Sequence, residues 1–270
     1  MKLLSWNVAG IRACIKKDAL NFLLDDEWDI VCFQETKAEA HQVTIPEALS
    51  DHYPYRFWQS SQGIKQRKGL SGTAIWCRTK PVREIDPPDF DVEGRVTALE
   101  FDTFNIVTVY TPNSQKLNSE RNIYRIDEWD IKFRDYVSNL QKEKNTIICG
   151  DLNVARSDIE VYNPKGFKNK QAGYFDCERV SFDKLLETGW TDSFRHVYPE
   201  QNDAYTYWNQ RIPSHRLDNK GWRIDYFLVP DKMKKNIHDA CIYPQYIGSD
   251  HCPIGLTISE KKKYKLVIKK

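Results

Sequence analysis

The sequence predicts one α/β domain in which largely antiparallel or mixed β-sheets are covered by helices. Three observations support this prediction. Short apolar runs typical of strands outnumber the segments with helical periodicity. Most of these runs follow one another without the helical crossover that a doubly wound parallel sheet requires. No Gly/Ser-rich linker, repeat or low-complexity tract divides the chain, so residues 1–260 are expected to form a single domain.

The first half of the chain is predicted to consist mostly of strands. In residues 2–8 the side chains alternate, with Leu4 and Trp6 on one face and Ser5 and Asn7 on the other. The further elements predicted here are a helix at 17–25 and strands at 29–34, 73–77, 82–85, 95–102 and 105–110, of which the last two form a hairpin.

The second half begins with the longest helical pattern. Between residues 119 and 144 apolar side chains recur at steps of three and four, and this stripe comprises Ile126, Trp129, Phe133, Val137 and Leu140. A second helix is predicted at 179–188, where Gly189 is suited to end it. Further strands are predicted at 146–149, 205–208, 222–229, 240–243 and 253–258.

Composition excludes several classes of protein. With 40% hydrophobic and 29% charged residues, the 270-residue chain has enough apolar material for a packed core. No run approaches the 18 or so apolar residues of a transmembrane helix, so no membrane association is expected. Seven dispersed cysteines without a CxxC motif argue against a disulfide framework or a zinc site. The chain enters a strand pattern directly at Met1, and we expect an intracellular protein, nuclear or cytoplasmic.

The net charge of +2 hides an asymmetry. Residues 261–270 form a tail with six lysines, and without it 34 basic residues face 38 acidic ones. A polyanionic partner would therefore have to be held by local basic patches. The tail itself is compatible with a solvated terminus, a nuclear-targeting signal or additional affinity for phosphate.

Polar side chains follow five of the apolar runs. The five segments are Ser5-Trp6-Asn7-Val8, Phe33-Gln34-Glu35-Thr36, Gly150-Asp151-Leu152-Asn153, Trp222-Arg223-Ile224-Asp225-Tyr226 and Gly248-Ser249-Asp250-His251. Strand ends hold such groups rigidly while the adjoining loops admit a ligand. Converging carboxylates cannot all stay ionised without compensation, and Mg²⁺ or Mn²⁺ with oxygen ligands would supply it. Each acid taken singly is equally compatible with a structural ion pair or a helix cap.

His251 would need a carboxylate to orient its imidazole, and Asp225 is the candidate. A carboxylate–imidazole pair that faces a phosphoryl oxygen or an attacking water is suited to phosphodiester hydrolysis. No P-loop, GxGxxG or HExxH motif points to nucleoside triphosphate, dinucleotide or zinc-protease chemistry.

The order of these segments resembles a known family. The matching blocks are Asn7, Gln34-Glu35-Thr36-Lys37, Tyr110-Thr111-Pro112-Asn113, Gly150-Asp151-Leu152-Asn153, Trp222-Arg223-Ile224-Asp225-Tyr226 and Ser249-Asp250-His251. They are similar to those of the apurinic/apyrimidinic (AP) endonucleases of the exonuclease III family, within the endonuclease/exonuclease/phosphatase superfamily. The resemblance spans roughly residues 2–258, and it is to the eukaryotic-type branch without its N-terminal extension.

The resemblance implies a fold and an activity. The fold would be a four-layered α/β sandwich, in which two mixed β-sheets pack face to face between layers of helices. The activity would be Mg²⁺-dependent hydrolysis of double-stranded DNA on the 5′ side of an abasic site, leaving a 3′-hydroxyl and a 5′-deoxyribose phosphate. Side activities as a 3′→5′ exonuclease and in 3′ repair are expected, together with a monomeric state and no organic cofactor.

The resemblance also assigns roles to residues. Glu35 would bind the metal with help from Asp250 and Asn7, and Asp151, Asn153 and His251 are further metal-binding residues of the same site. Asp151 would be either the base that activates water or the proton donor to the leaving oxygen. Asn153, Tyr110 and His251 would face the scissile phosphate, Asp225 would orient His251, and Asn113 would help to hold the phosphate.

Substrate contacts are expected around this centre. The pocket for the extruded abasic sugar would be formed by Tyr207, Trp222 and Ile224, whose alternative role is ordinary core packing. Candidate contacts to DNA phosphates are Arg12, Lys17, Lys37 and the run Lys65-Gln66-Arg67-Lys68-Gly69, for which a solvated loop is the alternative.

Three positions depart from the family pattern. Ala9 removes a possible metal ligand, Leu70 replaces an aromatic residue that contacts DNA, and Lys116 stands where an arginine inserts into the duplex. Catalysis is expected to survive these changes. The competing hypotheses are a DNase or phosphodiesterase of the same fold without abasic specificity, and an inactive DNA-binding module that would lack catalytic ligands.

Overall fold

The computed structural model describes residues 1–25, 27–61 and 69–259. These residues form two six-stranded sheets. The first sheet has the strand order β11-β12-β1-β2-β4-β3 and the second the order β5-β6-β7-β8-β10-β9. The strands are β1 (Lys2–Asn7), β2 (Ile30–Gln34), β3 (Tyr55–Gln59), β4 (Thr73–Cys77), β5 (Arg83–Ile85), β6 (Val96–Glu100), β7 (Asn105–Tyr110), β8 (Thr146–Asp151), β9 (Trp190–Asp192), β10 (Asp225–Pro230), β11 (Ile237–Ile242) and β12 (Ile254–Ile258).

Each sheet contains one parallel pair among antiparallel neighbours. β1 runs parallel to β2, and β7 runs parallel to β8, while the other paired strands are antiparallel. The predicted hairpin is confirmed, because β6 pairs with β7 in antiparallel register. Both sheets are therefore mixed, as the short connections between strands predicted.

The two sheets pack face to face, and helices cover their outer faces. A central core between the sheets contains Leu3, Cys32, Ile75, Ile147 and Phe227. Opposite-facing residues such as Leu4 and Trp6 pack under helices on the first sheet, while Trp129 and Phe133 pack against the second. The α-helices are α1 (Ile11–Lys16), α2 (Phe22–Asp25), α3 (Glu47–His52), α4 (Glu120–Ile123), α5 (Asp130–Glu143), α6 (Pro164–Phe167), α7 (Asp176–Glu187), α8 (Ser193–Val197) and α9 (Ser214–Leu217). Within the described ranges, none of these is a long apolar helix of membrane-spanning length.

Local predictions fail where backbone geometry interrupts a sequence pattern. Of the helix predicted at 17–25, only residues 22–25 are helical, as α2, because α1 ends at Lys16 and Asp18 adopts a left-handed φ of 55° between the two helices. The segment 205–208 joins neither sheet, and Tyr207 forms only isolated bridges to Trp222 and His251. The prediction missed the short elements β3, β9, α1, α3, α6, α8 and α9, whose sequences carry no clear periodicity.

The long helix changes its pitch near its start. Residues Tyr124–Trp129 form a π-helical segment between α4 and α5. One extra residue in a turn rotates the helix faces, so Arg125 is buried whereas Ile126, predicted in the apolar stripe, is only half-buried. Trp129, Phe133 and Val137 lie in the core as predicted. The π segment thus brings an arginine to the interior beside the end of β8.

Gly150 is required by the close approach of β7 to β8. Its φ is 133°, and a Cβ atom at this position would lie 2.0 Å from the carbonyl oxygen of Val109. Gly189 has a similar φ of 110°, but a Cβ there would meet nothing within 4 Å. An added side chain would therefore meet backbone strain at both positions, but a steric clash only at Gly150.

We expect Gly150→Ala to destabilise the protein by at least about 2 kcal/mol more than Gly189→Ala, because only the first variant adds overpacking to backbone strain. The measurement is chemical denaturation of the two variants and the wild type under identical conditions. Equal losses of unfolding free energy would contradict the steric argument.

Candidate active site

Polar residues from both sheets meet at one rim of the sandwich. The parallel strands β1 and β2 both end there, so Asn7 lies beside Gln34 in register and Glu35 follows. In the second sheet Tyr110 and Asp151 are register partners at the ends of β7 and β8. The antiparallel strands β10 and β12 begin at the same rim. Asp225 is the first residue of β10 and pairs with Asp151, and His251 lies just before β12.

Asn7 connects the two sheets at the centre of this rim. Its Nδ2 donates to Glu35 Oε1 at 3.0 Å and to Asp151 Oδ2 at 2.9 Å, and it lies 3.3 Å from His251 Nε2. Its Oδ1 accepts a hydrogen bond from the backbone N–H of Ala9 at 3.0 Å. In this orientation Asn7 presents a donor to the carboxylates, and its oxygen would face them only after the amide turned over.

His251 is oriented by Asp225. The distance from His251 Nδ1 to Asp225 Oδ2 is 2.8 Å, and Thr206 Oγ1 donates to the same carboxylate oxygen at 2.6 Å. The opposite ring nitrogen, Nε2, lies 3.8 Å from Asp151 Oδ2. Both carboxylates and the imidazole are buried. Asp225 therefore fixes the plane of the ring and leaves Nε2 directed toward Asp151.

Strained backbone places two of the polar side chains. Glu35 and Asn153 have left-handed φ values of 50° and 49°, a conformation that is unfavourable for residues with a Cβ atom. Asn153 is held by hydrogen bonds of its side chain to Thr111 O at 2.8 Å and from Asn113 Nδ2 at 3.0 Å. The surrounding contacts thus maintain the turn that aims these groups into the site.

Arg125 supports the same turn from inside the protein. Its guanidinium donates to the carbonyls of Leu152 and Asn153 at 2.9 and 2.8 Å, and it pairs with Glu178 at 3.0 Å. Glu178 in turn accepts from the backbone N–H of Gly173 at 2.8 Å. Sequence reasoning missed Arg125, because an arginine within an amphipathic helix ordinarily indicates the solvent-facing side.

The electrostatics of the site reflect burial of several ionisable groups together. Burial raises the pKa of Asp151 to about 7, with the nearby His251 opposing that rise and the Asp225 and Glu35 carboxylates adding to it. Burial disfavours the charged form of His251, but Asp225 and Asp151 outweigh it and raise the pKa of the imidazole to about 10. Without other cations, a protonated His251 is therefore the main compensation for the surrounding carboxylates.

The pKa values of Glu35 and Tyr110 are also shifted by burial and by the neighbouring charges. Burial would raise the pKa of Glu35, yet Lys37 and the Asn7 amide outweigh it and hold the pKa below its usual value. Lys37 Nζ lies 2.8 Å from Glu35 Oε2. Burial, reinforced by Glu35, raises the pKa of Tyr110 well above its usual value, so the phenol is a hydrogen-bond donor at neutral pH.

The donor set fits a divalent cation. Among the described residues, ligand atoms of Glu35, Asp151 and His251 lie within 4.8 Å of one another. The two carboxylates can bind Mg²⁺ or Mn²⁺ through their oxygens, and a cation there would relieve the repulsion between the buried acids. His251 could join them as a ligand only in its neutral form, because a protonated imidazole has no free lone pair. Asp250 lines the same cavity but stands outside this group of three, with Ser249 Oγ 3.3 Å from its Oδ1.

The rim opens into a cavity of about 330 Å³ with two chemically different ends. The polar end contains Glu35, Tyr110, Asn113, Asp151, Asn153, Asp250 and His251, and the apolar end contains Tyr162, Phe167, Tyr207, Ile212, Trp222 and Ile224. The remaining lining residues are Gln171, Ala172, Gly173, Asn209, His215 and Lys220. The ring centroids of Tyr207 and His251 are 4.9 Å apart, so Tyr207 lies between the two ends. The predicted residues Tyr207, Trp222 and Ile224 all line the cavity, whereas Tyr162 and Phe167 were not predicted.

A buried ion network aims Trp222 and Ile224 into this cavity. Arg223, between them, pairs with Glu160 at 2.5 Å and with Asp192 at 2.6 Å. Because successive side chains of an extended segment point in opposite directions, anchoring Arg223 inside the protein turns its two neighbours toward the cavity. This arrangement explains why a buried arginine stands between two apolar residues in the sequence.

Other predicted contact residues lie around the cavity rather than in it. Arg12 is exposed on α1, with Nη2 3.5 Å from the Lys37 carbonyl, and Lys17 is exposed just after that helix. Lys116 is exposed in the loop after Asn113, and Leu70 is 37% exposed. Residues 65–68 of the predicted basic run, like the tail at 261–270, lie outside the described residues.

A larger cavity of about 520 Å³ is lined by Trp208, Tyr205 and Arg216. Asp203 is the one acid among its described lining residues, and its hydroxyl partner is Tyr205. This cavity lacks converging ionisable groups, so size alone does not indicate the chemistry. We therefore assign the candidate active site to the smaller, charged cavity.

Comparison with known proteins identifies the family. Residues 4–251 match the family described as Endonuclease/Exonuclease/phosphatase family. The chain belongs to this family. It is 44% identical over 264 residues to an exodeoxyribonuclease of Bacillus subtilis, with 96% of this chain and 100% of that protein covered. It is 40% identical to the DNA repair nuclease APEX1 of Danio rerio, with 96% and 82% covered.

Comparison with solved structures agrees with the architecture. The structure of an AP endonuclease from Archaeoglobus fulgidus superposes with a TM-score of 0.84, covering 96% of this chain and 100% of that one at 24% identity. At this identity the likeness shows the fold alone. The predicted four-layered sandwich, the resemblance to the AP endonuclease and exonuclease group, and the prediction of a nuclease are confirmed.

The Asp225–His251 pair provides a direct test of the site. Asp225→Asn keeps the shape of the side chain but removes the charge that favours the imidazolium. We expect kcat for DNA hydrolysis to fall roughly 100-fold or more, with a smaller change in KM, and the pKa of His251 to fall. Steady-state kinetics and NMR titration of His251 are the measurements.

Asp239→Asn is the matched control, because Asp239 also accepts a side-chain hydrogen bond, from Tyr198, but lies away from the cavity. It should leave kcat unchanged. An Asp225→Asn variant with wild-type kcat and a lowered His251 pKa would contradict a catalytic role for the charged ring.

Proposed function

We propose that this protein is a Mg²⁺-dependent DNA-repair endonuclease that hydrolyses the phosphodiester on the 5′ side of abasic sites in double-stranded DNA. The products would be a 3′-hydroxyl and a 5′-deoxyribose phosphate, and 3′→5′ exonuclease and 3′-repair reactions would be side activities. The proposal rests mainly on one observation. A single cavity joins the cluster of Glu35, Asp151 and His251 to an apolar pocket of Tyr207, Trp222 and Ile224.

Glu35 and Asp151 would hold the cation, with Asp250 nearby at the mouth of the same cavity. When bound, the ion acts as a Lewis acid on the phosphoryl oxygens and offsets the charge that develops there. Lys37 would release its 2.8 Å ion pair with Glu35 Oε2 as the ion binds. Mn²⁺ is expected to substitute, because it accepts the same oxygen ligands.

The side chains around the cluster would bind and orient the scissile phosphate. His251, Tyr110 and Asn153 can donate hydrogen bonds to its non-bridging oxygens, and Asn113 borders the same space. Charge grows on these oxygens in the transition state, so donors that are already fixed stabilise it more than the substrate. Asp225 keeps His251 in place and favours its charged form.

Asp151 is suited to move the proton. Without a bound cation, burial raises its pKa to about 7, close to neutral pH, where a carboxyl group can both accept and donate a proton. Its Oδ1 accepts from the backbone N–H of Asn153 at 2.9 Å, which leaves Oδ2 directed toward Asn7 and His251. Asp151 would therefore either deprotonate the attacking water or protonate the leaving oxygen.

The substrate is proposed to be held outside the cavity by its backbone. Arg12, Lys17, Lys37 and Lys116 are available for phosphate contacts around the rim, since such contacts position DNA without reading its sequence. An extruded sugar without a base would enter the apolar end of the cavity. The protein is proposed to act as a monomer without an organic cofactor.

The substrate assignment is tested with a duplex that carries one tetrahydrofuran abasic analogue. With Mg²⁺ we expect incision 5′ to the analogue, at a rate at least roughly 100-fold above cleavage at intact nucleotides of a matched duplex. A chelator should abolish the reaction. Product lengths and end groups are read by denaturing gel electrophoresis.

Asp151→Asn serves as the control for contaminating nucleases and should be inactive on both duplexes. Equal cleavage of the two duplexes by the wild type would replace the abasic assignment with a DNase of broad specificity. Binding of both duplexes without cleavage would instead support the inactive DNA-binding module.

The metal assignment can be tested without turnover. Glu35→Gln removes a charged ligand while keeping the shape of the side chain, so the affinity for Mn²⁺ should fall at least about tenfold. Isothermal titration calorimetry of the DNA-free protein measures it. Glu47→Gln, an exposed acid on α3, is the control and should bind Mn²⁺ as the wild type does. Unchanged affinity in Glu35→Gln would contradict the proposed site.

A further inference from the structure

The apolar end of the active-site cavity carries two aromatic rings that no catalytic motif contains, Tyr162 and Phe167. The Phe167 ring lies 5.1 Å from Trp222 and 5.2 Å from Tyr162, measured between ring centroids. Both rings are half-buried and belong to a small apolar cluster with Trp222 and Ile224. Tyr174 contacts the same indole ring, with its ring centroid 6.0 Å from that of Trp222.

The loop that carries Phe167 is held firmly. Asn163 Oδ1 caps α6 by accepting from Gly166 N at 3.1 Å, and Pro164 begins the helix with its φ already restricted. A Cβ atom on Gly166 would lie 2.3 Å from Asn163 Nδ2, so a side chain there would displace the capping amide. The position of the ring is thus set by local sequence before any substrate binds.

A second set of hydrogen bonds holds the loop just after Phe167. Asn169 Nδ2 donates to Asp176 Oδ2 at 2.7 Å, and the backbone N–H of Asp176 donates to Asn169 Oδ1 at 2.7 Å. This reciprocal pair joins the loop to the first turn of α7. The backbone of Phe167 is therefore held between two hydrogen-bonded turns.

The rings close the cavity rather than offering a slot for a base. A nucleobase stacked between two rings needs them parallel and roughly 7 Å apart, which is twice the 3.5 Å separation of carbon atoms in contact. Phe167 is inclined by 40° to Trp222 and by 69° to Tyr162, at centroid distances near 5 Å. A sugar can approach this wall, whereas an attached base would meet the edge of Phe167.

We infer that Phe167 is a specificity-determining residue that rejects a sugar still carrying its base. The inference rests on the proposed function and deepens it, because it names the residue that sets how strongly an abasic sugar is preferred. Tyr162 packs edge-on against Phe167, with the two ring centroids 5.2 Å apart. Discrimination would come from steric exclusion, so it should depend on the volume of residue 167 rather than on its polarity.

The test measures a ratio of two reactions. One is incision at a tetrahydrofuran abasic analogue, and the other is removal of a paired 3′-terminal nucleotide, which brings a sugar with its base to the site. In Phe167→Ala the ratio of kcat/KM values, abasic over terminal nucleotide, should fall roughly tenfold or more relative to the wild type. Phe167→Tyr, which keeps the ring, should retain the wild-type ratio.

Phe90→Ala is the matched control for loss of a half-buried ring. Phe90 also packs against two aromatic residues, Trp129 at 5.3 Å and Tyr136 at 6.5 Å, but it lies outside the cavity. It should leave the ratio unchanged. Thermal unfolding of each variant separates loss of discrimination from loss of folded protein.

The possible outcomes distinguish failure of the role of Phe167 from failure of the abasic assignment. A large wild-type ratio that persists in Phe167→Ala would overturn the role of Phe167 and leave the abasic assignment intact. A wild-type ratio near one would overturn the abasic assignment and this inference together. A ratio that falls equally in Phe167→Tyr and Phe167→Ala would also overturn it, because the ring would then not be the excluding element.

Discussion

The hydrogen bonds of the Asn7 amide across the two sheets are the interaction on which the active site depends. Asn7 belongs to the first sheet, yet it donates to Asp151 of the second and lies against His251. Buried carboxylates repel one another, and the site is stable because each is matched by a donor or a cation: Asn7 for Glu35 and Asp151, His251 for Asp225, and Lys37 for Glu35. Relative movement of the sheets would break several of these contacts at once. The packed core between the sheets is therefore also the support of the catalytic geometry.

Unfavourable backbone conformations in the site are stabilised by contacts from other parts of the fold. Left-handed backbone at Glu35 and Asn153 directs their side chains inward, and a π-helical segment brings Arg125 to the carbonyls that flank Asn153. Each feature is locally unfavourable, and each is maintained by contacts made elsewhere in the fold. The apolar end is built in the same way, because the anchored Arg223 directs Trp222 and Ile224 into the cavity.

Features that depend on local interactions could be predicted from the sequence, whereas features that depend on distant contacts could not. Asn7 and Asp151 could be found because they end apolar runs, and Asp225 because it begins one, since a strand end fixes the direction of a side chain locally. The segment 205–208 has an apolar pattern typical of a strand, but it crosses the strand ends and joins no sheet. The inward turn of Arg125 depends on one extra residue in a helical turn, which side-chain periodicity does not reveal. Phe167 could not be found for a similar reason, since its role depends on a neighbour 55 positions away in the chain.

The sequence by itself determined the α/β class with mixed sheets, the strand-end acids and amides, and, through its ordered motifs, the family. These properties follow from the period of side chains along strands and helices and from the chemistry of short segments. The tertiary structure alone decided which groups meet: Glu35 with Lys37 across a strained turn, His251 with Asp225, and Phe167 over Trp222. It also decided that Asn7 presents its nitrogen to the acids and that Asp250 stands outside the group of three. The reason is physical, because distances and pKa values at a buried site depend on the packing of both sheets together.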